Sequence, residues 1–452
     1  MSTQPRADGI RDEADAIAMI DAAVQAARKQ SPDFKELLLA AVDGGPTITD
    51  EMLGRSGPVA VSGEDFLFLL RTERDATVTI DDRPPAPMTP VPGTGYSYRL
   101  EQLRLGTTHN FLWHVGGHVM GTMGGIMARS VAGYNPGSYP IPGAKRGTLS
   151  EKRTIASPIY GGAASDYWVY TNPGIDAERG APVMVWLDGV NHVGLLGAYA
   201  VRMQTVTDNL VHRGLIPPMV HILISPGVGG SLSPATVLPG TTPESEVRSI
   251  QYDTVNDDFG RHIVEEVLPE VEKTYKLRQD GYSRAITGQS SGGIAAFKVC
   301  WWRPNEFARA YSSIGSFTAL QWHPEQHLDG GYIFPFLVRC EEKRNIRVWL
   351  SDGAEDIDFE EHIIPSRLHR AGSWPLANLQ MAQALKIRGY DFHFRYGTAS
   401  HNSAQWALDL PESLVWLWRG YDPDKTSETF EQEASERAKP LYRVGVTNRD
   451  AW

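Results

Sequence analysis

Ser290, His401 and the carboxylates around residue 356 are the side chains whose types and order could together carry out nucleophilic chemistry. Ser290 lies in Gly288-Gln289-Ser290-Ser291-Gly292, between a β-type run, Arg284 to Thr287, and a helix-like run, Ile294 to Cys300. Small residues on both sides of the serine allow a sharp strand-to-helix turn that lifts its Oγ above a sheet, the nucleophile elbow. The helix that follows offers backbone N–H groups without intrahelical partners, which suit a developing oxyanion. A Gly/Ser turn that matches by accident is the competing reading. The strand before and the helix after favour the nucleophile.

In α/β-hydrolases the acid and then the histidine follow the serine, each after a later strand. Ile346 to Leu350 reads as a strand by alternation and β-branching. It leads into Ser351-Asp352-Gly353-Ala354-Glu355-Asp356-Ile357-Asp358, read as a turn crowded with carboxylates. Ala377 to Tyr390 is then an amphipathic helix, Asp391 to Tyr396 alternates as another strand, and Gly397 to Asn402 follows. His401 is therefore the expected general base for Ser290. Asp356 is the expected acid, with Glu355 and Asp358 as rivals; the alternative is that the whole acidic run is a solvated turn. The second oxyanion donor should follow an early central strand. Pro182 to Leu187 is a near-continuous apolar run, as a strand buried on both faces would be, and it stops at Asp188-Gly189-Val190-Asn191-His192. The N–H groups of Val190 and Ser291 are the expected oxyanion hole, against the plainer reading of a strand-ending D-G turn.

From about Gly180 to Gly420 the chain resembles the enterochelin-esterase-like branch of the esterase D superfamily. The resemblance rests on Val185-Trp186-Leu187-Asp188-Gly189, Arg284 to Gly293, Ser351 to Asp356, Trp374-Pro375-Leu376-Ala377-Asn378 and Leu414 to Arg419. It implies an α/β-hydrolase fold and a serine carboxylic ester hydrolase with Ser290, Asp356 and His401 as its triad. Relatives include siderophore trilactone esterases, feruloyl and acetylxylan esterases, and mycolyltransferase-like acyl transferases, so activity is implied more strongly than substrate. Two phrases depart from the family. Arg248-Ser249-Ile250-Gln251-Tyr252-Asp253 carries an amide where relatives have a carboxylate, and Ala399-Ser400-His401-Asn402 replaces a G-G-H-N turn. An insertion-like stretch, Phe359 to Gly372, follows the acid.

The elements ahead of this region differ in texture. Residues 1–55 carry helical signals, and 56–128 read as several short strands with Pro/Gly turns, a small all-β sandwich of immunoglobulin-like type. The strands expected there are Phe66 to Arg71, Ala76 to Ile80, Tyr96 to Leu105 and Asn110 to Val119, with a Pro-rich turn from Pro84 to Pro92. A Gly/Pro/Ser linker covers 129–147 and the catalytic domain 148–425, with a mostly parallel central sheet. A charged tail, 426–452, is expected to lie over the surface. The sandwich is expected to wall the substrate cleft, as in enterochelin-esterase-like relatives, or to contribute to a homodimer interface. The motive is a sheet face rich in Phe66, Phe68, Phe111 and Trp113 that needs cover.

Composition sets outer limits. A chain of 452 residues, 41% apolar and 21% charged, is an ordinary globular protein of more than one domain. A net charge of −11 offers no basic stripe for nucleic acid. Two cysteines form no disulfide framework, and Cys300 reads as a buried thiol. Neither a signal peptide nor a run of about 18 apolar residues is evident, so the expectation is a cytoplasmic protein without a membrane partner. No cofactor is expected. His109, His114 and His118 lack metal-ligand spacing and read as ordinary strand and loop histidines. Arg248, Gln251, His192, Trp322 and Trp406 are the expected substrate-pocket residues, the tryptophans as stacking surfaces or, equally, as core anchors. The function expected is hydrolysis of a small-molecule ester, aromatic, sugar or lactone, through an acyl-enzyme. The alternatives are a non-catalytic binding protein on the same scaffold, or an acyltransferase using the same triad.

Overall fold

The structure, a computed structural model, describes residues 13–43, 59–120, 128–193, 201–230, 232, 243–358 and 372–438. The stretch 359–371, most of the insertion noted after the acid, lies outside the described residues, as do 1–12 and 439–452 at the two ends. The helix Glu13–Arg28 is built largely from alanine and other good helix formers, and it buries Ile17, Ile20, Val24 and Ala27 at helical spacing. A second helix, Phe34–Asp43, adds Phe34 and Leu38, and together they cover Leu67, Leu69 and Tyr96 of the first sheet.

That sheet has the order Val59–Ser62, Asp65–Arg71, Tyr96–Gln102, Thr89–Val91, all antiparallel. The second runs Ala86–Pro87, Ala76–Ile80, Thr108–Val115, His118–Met120. Between the two sheets lie Phe66, Phe68, Leu70, Val78, Ile80, Phe111 and Trp113. Asp65–Arg71 thus buries one set of residues against the helices and the alternate set between the sheets, which is why its sequence does not alternate. Phe68, Phe111 and Trp113 pack edge to face, with centroids 5.2–6.1 Å apart. The sandwich encloses its own rings, so the argument that they require a partner surface fails.

The stretch 129–147 differs from a plain linker. It begins with the strand Arg129–Ala132, which pairs with Thr108–Val115. Further on, the carbonyls of Gly137 and Tyr139 accept the Asn209 side-chain amide, and the Arg202 guanidinium lies over Tyr134 and Tyr139. Aromatic rings and directed carbonyls pin a segment whose Gly/Pro content suggested freedom.

Among the described residues a larger sheet of nine strands runs Thr148–Leu149, Ala163–Thr171, Val220–Ile224, Val183–Leu187, Arg284–Gln289, Arg309–Ser313, Arg347–Glu355, Asp391–Ser400, with Arg153–Ser157 also pairing Ala163–Thr171. From Val220–Ile224 onward every pair is parallel. Val183, Val185, Leu187 and Ile286 face a layer that includes the helices Ser291–Trp302 and Trp374–Ile387. The alternate residues Met184, Trp186 and Ala285 face Met203–His212 and Ala404–Trp418. Two strands run past their expected ends: Arg347–Glu355 and Asp391–Ser400 stay paired through Gly353↔Gly397 and Glu355↔Ser400. The residues from Ser351 to Glu355 are therefore strand, not turn.

The tail is also more than a surface covering. Phe430 is buried against Tyr282, under the guanidinium groups of Arg309 and Arg347. Among the described residues no helix is long and apolar enough to cross a membrane.

Candidate active site

The strand Arg284–Gln289 delivers Ser290 to the N-terminus of the helix Ser291–Trp302. Ser290 has φ 58° and ψ −121°, a conformation that costs a non-glycine residue about 1–3 kcal/mol. The surroundings hold it there: its N–H donates to Ser313 O at 2.9 Å and its carbonyl accepts from Ser316 N at 3.1 Å. The turn is so tight that a Cβ on Gly288 would lie 2.5 Å from Gly292 O, which explains the first glycine of the pentapeptide.

His401 follows the strand Asp391–Ser400 and reaches Ser290: its Nε2 lies 2.8 Å from the serine Oγ. Its Nδ1 lies 2.5 Å from Asp356 Oδ1. The remaining acidic candidates diverge, since Glu355 and Asp358 are exposed whereas Asp356 is buried. Burial pushes the Asp356 carboxyl up to about 7, against hydrogen bonds from Asp352 and the Ile357 N–H. It pushes the His401 imidazole down from 6.5 to about 4. Both effects disfavour the charged form of the group concerned.

Asp352, within the strand Arg347–Glu355, is fully buried and hydrogen-bonded to Asp356. Burial first, and then the Asp356 charge, raise its carboxyl well above the usual range. Burial thus favours the protonated form of Asp352, whose carboxyl O–H can donate a hydrogen bond to the Asp356 carboxylate. Asp352 is not among the expected acids, because Ser351 to Asp358 reads as a turn in the sequence and the strand that buries it extends to Glu355.

The oxyanion candidates are neighbours. Trp186 pairs with Thr287 across the sheet, and a Cβ on Gly292 would lie 3.1 Å from Asp188 Oδ2. The loop after Val183–Leu187 therefore lies beside the first turn of the helix that carries the Ser291 N–H. The Val190 N–H donates to Ser225 Oγ at 3.1 Å. Arg248 is bound by Asp188 through two 2.7 Å contacts and reaches Gln289 O at 3.2 Å, bracing the loop after Leu187 against the turn at Ser290.

The other pocket candidates separate. Gln251 is buried and its amide bonds both the N–H and the carbonyl of Gly227, so it shapes a neighbouring loop. Trp406 is 1% exposed and stacks on Trp186 with centroids 5.9 Å apart, a core residue rather than a cleft wall. His192 packs edge-on to both tryptophans and bonds Leu187 O; burial lowers its imidazole to about 4. It is a core histidine too. Trp322 is exposed, on the loop that also supplies Ser316.

Three further residues frame the site. Ser316 Oγ lies 3.4 Å from Ser290 Oγ and accepts from Trp374 Nε1 at 3.1 Å. The buried Trp374 ring stands edge-on to His401, with centroids 5.5 Å apart. Ser403, just past the histidine, bonds the Gln289 side chain beside the nucleophile. None has a local sequence signal beyond the Trp-Pro that opens its helix. The arrangement can deprotonate a serine hydroxyl, hold the resulting imidazolium and return the proton to a leaving group.

Comparison with known proteins gives concordant matches. The family model described as "Putative esterase" matches residues 166–417. The iron(III) enterobactin esterase of Dickeya dadantii is 24% identical over 260 residues, covering 58% of this chain and 53% of that protein. The iron(III) enterobactin esterase of Escherichia coli K12 is 24% identical over 259 residues, covering 57% and 55%. The chain spans about half the length of these curated relatives. Among solved structures, the enterobactin esterase of Shigella flexneri superposes with a TM-score of 0.53 at 17% identity, covering 80% of this chain and 96% of that one. At that identity the likeness concerns the fold.

Proposed function

Because this chain belongs to the esterase family whose model spans residues 166–417, we propose that it hydrolyses the carboxylic ester of a small molecule through an acyl-enzyme on Ser290. The observation that carries the reading is the continuous hydrogen-bonded line Ser290 Oγ, His401 Nε2, His401 Nδ1, Asp356 Oδ1, at 2.8 and 2.5 Å. His401 takes the Ser290 proton as Oγ attacks the ester carbonyl carbon. The carbonyl electron pair moves onto oxygen, where the Ser291 N–H meets it. The Val190 N–H joins by exchanging the Ser225 hydroxyl for the oxyanion. Collapse expels the alkoxide, which leaves as an alcohol with the proton from His401. Water, deprotonated by the same imidazole, then attacks the acyl-enzyme; collapse breaks the bond to Ser290 Oγ, which takes the proton back from His401 as the carboxylic acid leaves. The names of the relatives make siderophore esters the first substrates to try, alongside aryl and sugar esters.

Ser290→Ala tests the reading. The variant should fold, lose p-nitrophenyl acetate turnover and fail to take up a fluorophosphonate. Undiminished turnover would remove Ser290 from the chemistry. Absence of any adduct on the wild-type serine would instead indicate a binding protein on this scaffold. Product analysis with alcohols competing against water separates hydrolysis from acyl transfer.

A further inference from the structure

Among the described residues Asp391–Ser400 is the edge strand of the large sheet, paired only with Arg347–Glu355. Its far edge needs cover, and the residues that carry His401 find it on the sandwich. Ser400, immediately before the base and fully buried, donates its N–H to Ser130 Oγ at 2.6 Å; the two hydroxyls are 2.8 Å apart. Asn402, immediately after, donates its side-chain amide to Ser130 O at 2.8 Å. Upstream, Thr398 O accepts from Asn110 Nδ2 at 3.0 Å and its hydroxyl meets Thr108 Oγ1 at 2.9 Å.

Ser130 and Asn110 are register partners on adjacent sandwich strands, and Ser130 Oγ donates to Asn110 Oδ1 at 2.8 Å. A serine hydroxyl has one proton and two lone pairs. With its proton on Asn110, it accepts both the N–H and the hydroxyl of Ser400, and its capacity is full. No atom of this cluster touches the nucleophile. It grips the chain on both sides of the base.

We propose that the sandwich sets the position of His401. Ser130, backed by Asn110 and Thr108, is a positioning residue that holds the histidine turn in line with Ser290. The inference rests on the reading of His401 as general base. A base must stand within hydrogen-bond reach of the proton it removes, and a misplacement of about 1 Å costs about 100-fold in rate. Removing the Ser130 hydroxyl strands the buried Ser400 N–H, and the turn relaxes toward other partners.

The test uses the full chain and p-nitrophenyl acetate, a substrate too small to report a cleft wall. Ser130→Ala should lower kcat about 10- to 100-fold with KM changed less than about twofold, and slow fluorophosphonate labelling of Ser290 in parallel. The downfield imidazole N–H proton resonance should shift or broaden. Ser130→Thr, which restores the hydroxyl, should recover most of the rate and the resonance. Thr79→Val, which breaks the Thr79–His114 contact within the sandwich, should leave both unchanged. If Ser130→Ala does not fold, Asn110→Ala carries the same readouts. His401→Ala separates the two levels: retained turnover there overturns the base assignment and this inference with it. An inactive His401→Ala beside wild-type kcat and resonance in Ser130→Ala and Asn110→Ala overturns the positioning role alone.

Discussion

Asp352 and Asp356 make opposite demands on an amide. Asp356 Oδ1 receives the His401 Nδ1–H at 2.5 Å and the Ile357 N–H at 2.5 Å, so it acts as a pure acceptor. Asparagine at 356 can present a donor to Nδ1 and trap the wrong imidazole tautomer. Asp356→Asn should therefore lower kcat about 10⁴-fold, or about 5.5 kcal/mol of barrier at about 1.36 kcal/mol per decade. Asp352 is the neutral donor of the pair, and its Oδ1 accepts the Gly353 N–H at 2.7 Å. Asparagine keeps that acceptor and supplies an N–H in place of the carboxyl proton. Asp352→Asn should cost less than about tenfold in kcat, whereas Asp352→Ala removes a hydrogen bond to a charged group, worth about 1.5–3 kcal/mol or about 10- to 100-fold. The assay is p-nitrophenyl acetate hydrolysis near neutral pH, with near-ultraviolet circular dichroism to confirm folding. Two results would refute the reasoning: Asp352→Asn as damaging as Asp352→Ala, or Glu355→Gln or Asp358→Asn more damaging than Asp356→Asn.

Further predictions concern pH and the core. Only neutral imidazole can act as base. Burial raises Asp356 to about 7 and lowers His401 from 6.5 to about 4, so the carboxyl takes the first proton as pH falls and the carboxylate facing the imidazole is lost. The acid limb of kcat/KM should therefore be centred near 7, and a kcat/KM that stays constant down to about pH 5 would contradict this. Trp406→Ala should cost about 3–5 kcal/mol in denaturant unfolding, as expected for a large buried ring, while KM for aryl esters stays within about twofold. A raised KM without loss of stability would return Trp406 to the cleft.

What could be read from the sequence was local. The elbow announces itself because glycine at 288 answers a clash within four residues. The apolar run ending at Leu187 marks a strand covered on both faces because both faces are in fact packed. His401 could be located because one strand precedes it at short range. The sequence left alternatives open where distant packing decides. Trp406 and His192 sit near His401 and the loop after Leu187 in sequence, yet the sheet turns both into the core around Trp186. Asp352 reads as part of a carboxylate-rich turn because the pairing that extends its strand comes from residues near 397. Ser130 carries no signal, being one small hydroxyl in a Gly/Pro/Ser stretch whose partner Ser400 lies 270 positions away.

That separation has a consequence for how the folded molecule comes into being. A chain made from its N-terminus completes the sandwich early, with Ser130 and Asn110 in place, while the strand that ends at Ser400 is still unmade. Contacts spanning 270 to 290 residues must await closure of the whole chain and are among the slow ones to form. An emerging polypeptide therefore exposes the Ser290 elbow before any base can reach it, and an unassisted serine hydroxyl is a weak nucleophile. On the proposed mechanism, nascent and half-folded molecules lack the base that Ser290 requires, and reactivity arrives only with the completed molecule.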